Sequence, residues 1–323
     1  MDELATTVAA LVGALPGRVT VEGSVGELST YRVGGPAAAV VLINSVADLE
    51  IVRSCVSAGV PYLVVGAGSN LLVADAGFPG IVLKLGDEFS SVEIVERGAG
   101  MARVVVGGAA MLPRVARQLT RDGVQGFEWA VGVPGTIGGA VRMNAGGHGS
   151  DMAASVQSVS IFNMRTGGPS QRTAADLEFG YRQSTVGSDD VVLFAELLLS
   201  AEERSDAIGH GTRELTEIVQ WRRANQPGGQ NAGSVFANPP GDSAGRMIDA
   251  CGLKGFRIGS ASVSTKHANF IQADPGGSAD DVAAVIAAVQ ARIDERFGVR
   301  LQVENRLVGF GGSVEQDLTG EQE

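Results

Sequence analysis

The stretch Tyr62-Leu63-Val64-Val65-Gly66-Ala67-Gly68-Ser69-Asn70-Leu71 passes from an apolar run straight into a glycine-rich loop. That pattern predicts a strand that opens onto bare backbone. Working outward, Ser45 can cap a helix on which Leu49, Val52 and Val56 share one face, and Gly59 and Pro61 stop it. Downstream, Arg103 to Val106 reads as a second strand entering Gly107-Gly108, and Leu112 to Leu119 as a helix. The densest glycine region, Gly132-Val133-Pro134-Gly135-Thr136-Ile137-Gly138-Gly139-Ala140, follows, with short strands predicted near 156–162 and 191–199. Strands and helices mix here without the strict alternation of a doubly wound parallel sheet, so the fold class is α+β.

The polar stretch 201–212 suits a domain junction, 213–224 reads as helix, and 225–233, rich in Gly, Asn and Gln, cannot continue it. The best-marked helix starts at Ser278. Asp281 would complete a capping box, Val282, Val285, Ile286, Val289 and Ile293 trace one face, and Gly298 ends it. A strand is expected next, with Val299, Leu301 and Val303 pointing one way and Arg300, Gln302, Glu304 and Arg306 the other. The tail from Gly311 to Glu323 carries four acids and no base, a composition that favours disorder.

With 323 residues, 44% hydrophobic and 19% charged, the chain can bury a large core and is long enough for two or three domains. A net charge of −11 argues against a general nucleic-acid binder. No apolar run approaches the roughly 18 residues of a bilayer span, and Met1-Asp2-Glu3 is acidic where a secretory signal is basic, so a cytoplasmic location is expected. Cys55 and Cys251 are far apart and read as buried thiols. His148, His210 and His267 lack metal-ligand spacing, so no metal is expected. Lysine is confined to Lys84, Lys254 and Lys266, which makes each of them worth locating.

Glycine loops after strands suit anions, because several backbone N–H groups can converge on one phosphate. The loop at 66–71 lacks the third glycine of a dinucleotide fingerprint, and the loop at 132–139 lacks the Lys-Ser/Thr of a P-loop. Each loop by itself fits a tight turn as well as a cradle. Two in one lobe favour an elongated pyrophosphate ligand.

Further elements narrow the reading. Thr30-Tyr31-Arg32-Val33-Gly34-Gly35-Pro36-Ala37 precedes the two glycine loops. Gly180-Tyr181-Arg182-Gln183-Ser184, Asn231-Ala232-Gly233-Ser234-Val235-Phe236-Ala237-Asn238-Pro239, Leu253-Lys254-Gly255, His267-Ala268-Asn269-Phe270 and Glu304-Asn305-Arg306 follow in order. Over residues 28–310 this series closely resembles the UDP-N-acetylenolpyruvoylglucosamine reductase (MurB) family, in its shorter-loop class. The resemblance implies a two-lobed FAD-binding domain of the vanillyl-alcohol-oxidase-like (PCMH) type and a C-terminal α+β substrate-binding domain. The expected boundaries are 1–88 and 89–200 for the two lobes, 201–311 for the UDP-sugar domain, and 312–323 for the acidic tail.

The implied cofactor is noncovalent FAD, since no histidine stands in the first glycine loop to attach it, with NADPH as co-substrate. The implied FAD contacts are Tyr31, Gly66, Ala67, Gly68, Ser69, Asn70, Leu71, Gly132, Val133, Pro134, Gly135, Thr136, Gly138, Gly139, Ala140 and Arg306. Tyr181, Asn238, Lys254 and His267 match family positions near UDP-N-acetylglucosamine enolpyruvate. The implied reaction reduces that enol ether to a lactyl ether in peptidoglycan precursor synthesis, by a chain acting as a monomer without nucleic acid or membrane insertion.

The chemistry asks for a cationic clamp, a proton donor and a polar partner for charge developing beside the substrate carboxylate. Arg182 suits the clamp because guanidinium holds a carboxylate through two parallel N–H bonds. Ser234 can protonate a carbanion, and Glu304 can donate a hydrogen bond to the enediolate when it carries a proton. Phe236 occupies the last glycine position of a hydrolase elbow, which disfavours that alternative. The reading requires Arg182, Ser234 and Glu304 to converge. An oxygen-using flavin oxidase and a non-catalytic FAD or UDP-sugar sensor are the competing readings, and the intact trio argues against both.

Overall fold

The computed structural model describes residues 2–201 and 206–311; the acidic tail at 312–323 lies outside the described residues. In chain order the helices and strands are α1 (Glu3–Ala14), β1 (Val19–Val21), β2 (Ala37–Ile43), α2 (Val46–Cys55), β3 (Tyr62–Val64), β4 (Leu71–Val73), β5 (Phe78–Leu85), β6 (Val92–Gly98) and β7 (Met101–Gly107). There follow α3 (Leu112–Arg121), α4 (Ile137–Arg142), β8 (Gly146–Gly147), β9 (Ser150–Asp151), β10 (Val156–Asn163), β11 (Pro169–Thr173), β12 (Asp190–Ser200) and α5 (Ala207–Asn225). The last are α6 (Ala244–Ala250), β13 (Arg257–Ile258), β14 (Ala261–Val263), β15 (Ile271–Ala273), α7 (Ala279–Phe297) and β16 (Arg306–Val308). This mixture is the expected α+β class.

Two compact units divide the chain. The first holds Met1–Thr20, Val41–Ala67 and Val82–Arg222, and the second holds Val21–Val40, Gly68–Ile81 and Arg223–Glu323. These divisions differ from the sequence-based ones near 88 and 200. The polar stretch after 200 does not separate the units, because α5 begins at Ala207, earlier than the predicted 213, and runs on as one helix to Asn225. Residues 202–205 of that stretch lie outside the described residues.

The first unit is built on an antiparallel sheet ordered β11-β10-β12-β7-β6. In β7, Ala102, Val104 and Val106 are buried while Met101 and Arg103 are exposed, the two-residue period of a half-buried strand. Across the ladder they face Leu199, Leu197 and Ala195 of β12, so one face of the pair is continuously apolar. Helix α3 lays Leu112, Val115, Ala116 and Leu119 onto the same core, a stripe at helical spacing started by Pro113. A smaller sheet has the order β1-β2-β5-β3.

In the second unit the buried stripe of α7 (Val282, Val285, Ile286, Val289, Ile293) packs in a core shared with the β13-β14-β15 sheet. Ser278 caps α7 as expected, accepting from the Asp281 amide, and Gly298 closes it at φ 64°. The reciprocal half of the expected capping box is absent. The Asp281 carboxylate instead accepts from the backbone and hydroxyl of Ser260, and Ser260 Oγ accepts from the Ser278 amide. Asp75, some 200 positions away, accepts from Ala279 N at 2.8 Å, an acid placed where the first helical amides lack partners. The strand expected over 299–306 is shorter than predicted: only an isolated bridge at Val303 and β16 form ladders.

A full capping box does form at α2, between Ser45 and Asp48. Asp48 also accepts from Asn44 N at 2.8 Å and from Arg18. Burial pushes its carboxyl up, but these hydrogen bonds outweigh burial and hold it below the ordinary aspartate range. A depressed folded pKa stabilises above the unfolded value and loses that contribution on acidification. Asp48→Asn should therefore cost about 1–3 kcal/mol in urea unfolding at neutral pH. The difference from the parent should shrink below about pH 4; a difference that grows on acidification would contradict this account.

Candidate active site

Strand β3 delivers the first glycine loop, and α4 begins within the second glycine region. In the first unit both reach one cavity of 240 Å³. Gly66 and Ala67 of the first loop and Thr136, Gly138 and Gly139 of the second all line it. Gly66 has to be glycine, because a Cβ there would lie 2.3 Å from Thr136 Oγ1. Gly108, also lining the cavity, has the same constraint, with the Val192 carbonyl 2.0 Å from a built Cβ. These close approaches pack the glycine loops tightly, and four glycines in one lining offer bare backbone that suits a phosphate-bearing ligand. It is smaller than the roughly 300–1,000 Å³ of a site that encloses a drug-sized molecule, so it fits one portion of a dinucleotide.

Some expected cofactor contacts turn inward. Tyr31, Leu71 and Ala140 are 0, 6 and 3% exposed, and Tyr31 and Ala140 belong to the apolar cores of their units. Burial pushes the Tyr31 phenol far above its usual range. Gly132 is also buried, against Ile218, Arg222 and His148. Lys84, Arg142 and Asp190 line the cavity and were not singled out as ligand contacts from sequence. The available signal was spacing: Arg142 lies four residues after Gly138 on the same helix face.

Tyr181 and Arg182 form the two central positions of a tight turn closed by Gly180 and Gln183. Arg182 has φ 57°, a left-handed conformation that costs a non-glycine residue of order 1 kcal/mol. Its guanidinium lies 5.3 Å from the centroid of the Tyr181 ring, which is 67% exposed. The turn is fastened by buried Asn144, which donates to Gly180 O at 2.9 Å, and by Ser184 Oγ, which donates to Arg142 O at 2.8 Å.

In the second unit three of the sequence elements are knitted together. Glu304 N donates to Val235 O at 2.8 Å and Ala237 N to Gln302 O at 2.9 Å, on either side of the Phe236–Val303 bridge, so Ser234 and Glu304 stand on adjacent, paired stretches. Asn269 grips Phe236 twice, accepting from its amide at 3.0 Å and donating to its carbonyl at 2.8 Å. Asn70, from the first glycine loop, completes the set. Its side chain donates to Glu304 O at 2.9 Å, its own carbonyl accepts from Arg306 N at 2.9 Å, and its side-chain oxygen accepts from Asn305 at 3.0 Å. Buried Asn305 also donates to Ala232 O at 3.2 Å, two residues before Ser234. Asn305 was quoted in a motif but given no role from sequence; only its burial between two exposure-prone neighbours could have flagged it.

The expected sugar contacts are partly committed elsewhere. The Asn238 side chain accepts from Ala244 N at the start of α6, and Lys254 lies 2.7 Å from Asp249. His267 is half-buried, its ring edge-on to Phe270, and burial, with the Lys254 charge, lowers its pKa, so it is neutral at neutral pH. Arg182 belongs to the first unit, and Ser234, Glu304 and Arg306 to the second. Cys55 and Cys251 are unpaired and partly exposed, where buried thiols were expected. Among the described residues no cluster could hold a metal ion, and no helix is long and apolar enough to cross a membrane.

Comparison with known proteins gives this geometry its context. Residues 225–308 match the family model for the UDP-N-acetylenolpyruvoylglucosamine reductase C-terminal domain, and residues 37–168 match an FAD binding domain. The UDP-N-acetylenolpyruvoylglucosamine reductase of Heliobacterium modesticaldum is 40% identical over 294 residues, covering 89% of this chain and 90% of that protein. The corresponding reductase 1 of Bacillus anthracis is 36% identical, covering 93% and 97%. The crystal structure of MurB from Thermus caldophilus superposes with a TM-score of 0.76 at 32% identity, covering 90% and 98%. p-Cresol methylhydroxylase, 8% identical at a TM-score of 0.53, shares the fold alone. This chain is a member of the UDP-N-acetylenolpyruvoylglucosamine reductase (MurB) family, an FAD-dependent oxidoreductase family.

Proposed function

We propose that this protein reduces UDP-N-acetylglucosamine enolpyruvate to UDP-N-acetylmuramate for peptidoglycan synthesis, with NADPH as reductant and FAD held without a covalent bond. FAD, when bound, takes a hydride from the nicotinamide and supplies one to the enolpyruvyl double bond. The remaining work falls to the chain. Arg182 clamps the substrate carboxylate and offsets the negative charge that develops beside it. Ser234 Oγ delivers the proton to the second alkene carbon, so that one hydride and one proton saturate the bond. Glu304, carrying a proton at that moment, donates a hydrogen bond to the enediolate, since an ionised carboxylate would oppose the charge. Arg306 would help to hold the flavin, and Tyr181, Asn238, Lys254 and His267 would contribute to the sugar-nucleotide site.

The observation that carries this reading is the pairing of the Ser234 and Glu304 stretches, fixed by Asn70 from the glycine loop. It sets the proposed acid and the proposed charge stabiliser next to the loop expected to hold the cofactor. The chain is expected to work in the cytoplasm as a monomer. Its net charge of −11 repels nucleic acid and anionic substrates alike, so local cations must draw the ligands in. Arg246 and Arg257 cannot supply that attraction fully, being paired with Asp242 and Asp274.

Ser234→Ala should lower kcat about 10²- to 10⁴-fold with little change in KM for the sugar nucleotide. NADPH oxidation dependent on the enolpyruvyl sugar is the readout, and a kcat within about threefold of the parent would remove Ser234 from the chemistry. Asn305→Ala takes away the links to Asn70 and Ala232. It should cost about 1–3 kcal/mol of stability and reduce kcat more than KM. An unchanged kcat in a protein of lowered melting temperature would make Asn305 purely structural.

A further inference from the structure

Lys84 and Arg142 are two cations that line the same 240 Å³ cavity of the first unit. In a chain with only three lysines, the other two are accounted for. Lys254 pairs with Asp249, and Lys266 donates to the Arg223 carbonyl. Lys84 is half-buried at the end of β5 and makes no salt bridge among the described residues. Arg142, at the end of α4, is also half-buried and likewise forms no salt bridge among the described residues, and burial lowers its pKa against the opposing pull of Asp190.

Asp190 is not a partner in waiting for Arg142. Both of its oxygens are taken by Arg172, at 2.8 and 3.0 Å, and it accepts further from Asn163 at 2.8 Å and the Gly187 amide at 2.9 Å. Asp87 is the other carboxylate in the lining, and no ion pair joins it to either cation among the described residues. Two half-buried cations in one glycine-lined cavity, neither in a salt bridge among the described residues, suit an anionic ligand. Gly66, Gly108, Gly138 and Gly139 share that lining with the two cations, and backbone amides without side chains suit a phosphate.

We propose that Lys84 and Arg142 bind the diphosphate of FAD in this cavity and supply most of the charge-dependent part of its affinity. This rests on the cofactor assignment above and goes beyond it by naming the two side chains, which lie outside every motif used to recognise the family. Guanidinium suits the bidentate contact and ammonium the point contact.

The test measures FAD dissociation from the full-length holoprotein by dilution, following recovery of flavin fluorescence, for the parent, Lys84→Gln, Arg142→Gln and the conservative Arg142→Lys. Each glutamine variant should raise the Kd for FAD about tenfold or more, and Arg142→Lys should retain most of the affinity. The glutamine variants should also flatten the salt dependence of FAD binding. In competition, ADP should lose displacing power against the variants while adenosine does not. An equal loss for ADP and adenosine would place the pair on the nucleoside and overturn the proposal. So would FAD Kd values within about twofold of the parent, or a raised KM for NADPH with FAD binding untouched. Parent protein that holds no FAD would instead refute the cofactor assignment itself.

Discussion

Asn70 is the residue on which the second unit's site depends. One amide side chain and one carbonyl tie the glycine loop to Glu304, Asn305 and Arg306, and Asn305 passes the connection to Ala232. A loop of glycines has little intrinsic preference for one shape, because glycine loses the most conformational freedom on ordering. Side-chain hydrogen bonds to buried backbone remove that freedom without filling the space a ligand needs. Asparagine is suited to this, offering two donors and an acceptor at one position.

The same device recurs. Asn269 holds Phe236, Asn144 holds the Tyr181-Arg182 turn, and Asn238 holds the start of α6. Residues that invite a reading as substrate ligands thus also serve as fasteners for short irregular stretches. Long ladders cannot do this work in the second unit, where β13 to β16 are two or three residues each. The roles proposed for Ser234 and Glu304 would require both to be fixed closely, since proton transfer depends on reach and orientation. Buried amide networks meet that need at a few points.

Much of this was legible in the sequence. Ser45, Ser278 and Gly298 marked helix ends that the structure places where expected, because capping is a local matter of a few neighbouring groups. The strand-to-loop passage at 62–70 and the helix at 112–121 followed from periodicity in the same way. What failed was non-local. Asp281 has the spacing of a capping box, yet Ser260 captures its carboxylate, a competition no local window reveals. Residues 299–305 alternate like a strand, but pairing there is confined to the bridge at Val303 with its flanking Gln302 and Glu304 hydrogen bonds, and resumes with β16 at Arg306. The polar run after 200 resembled a linker, while α5 continues to Asn225 and the compact units divide after Arg222. In the candidate site, the motif residues stand out by type and spacing. Lys84 was marked only by the scarcity of lysine, and Arg142 and Asn305 had no role from sequence, because their setting depends on burial and on non-local neighbours.

The most direct measurement is a crystal structure of the protein with FAD and the enolpyruvyl UDP-sugar bound. The account predicts Ser234 Oγ within about 3.5 Å of the alkene carbon that receives the proton, with Asn70 still donating to the Glu304 carbonyl. A structure in which Ser234 faces away from the bound sugar would contradict it.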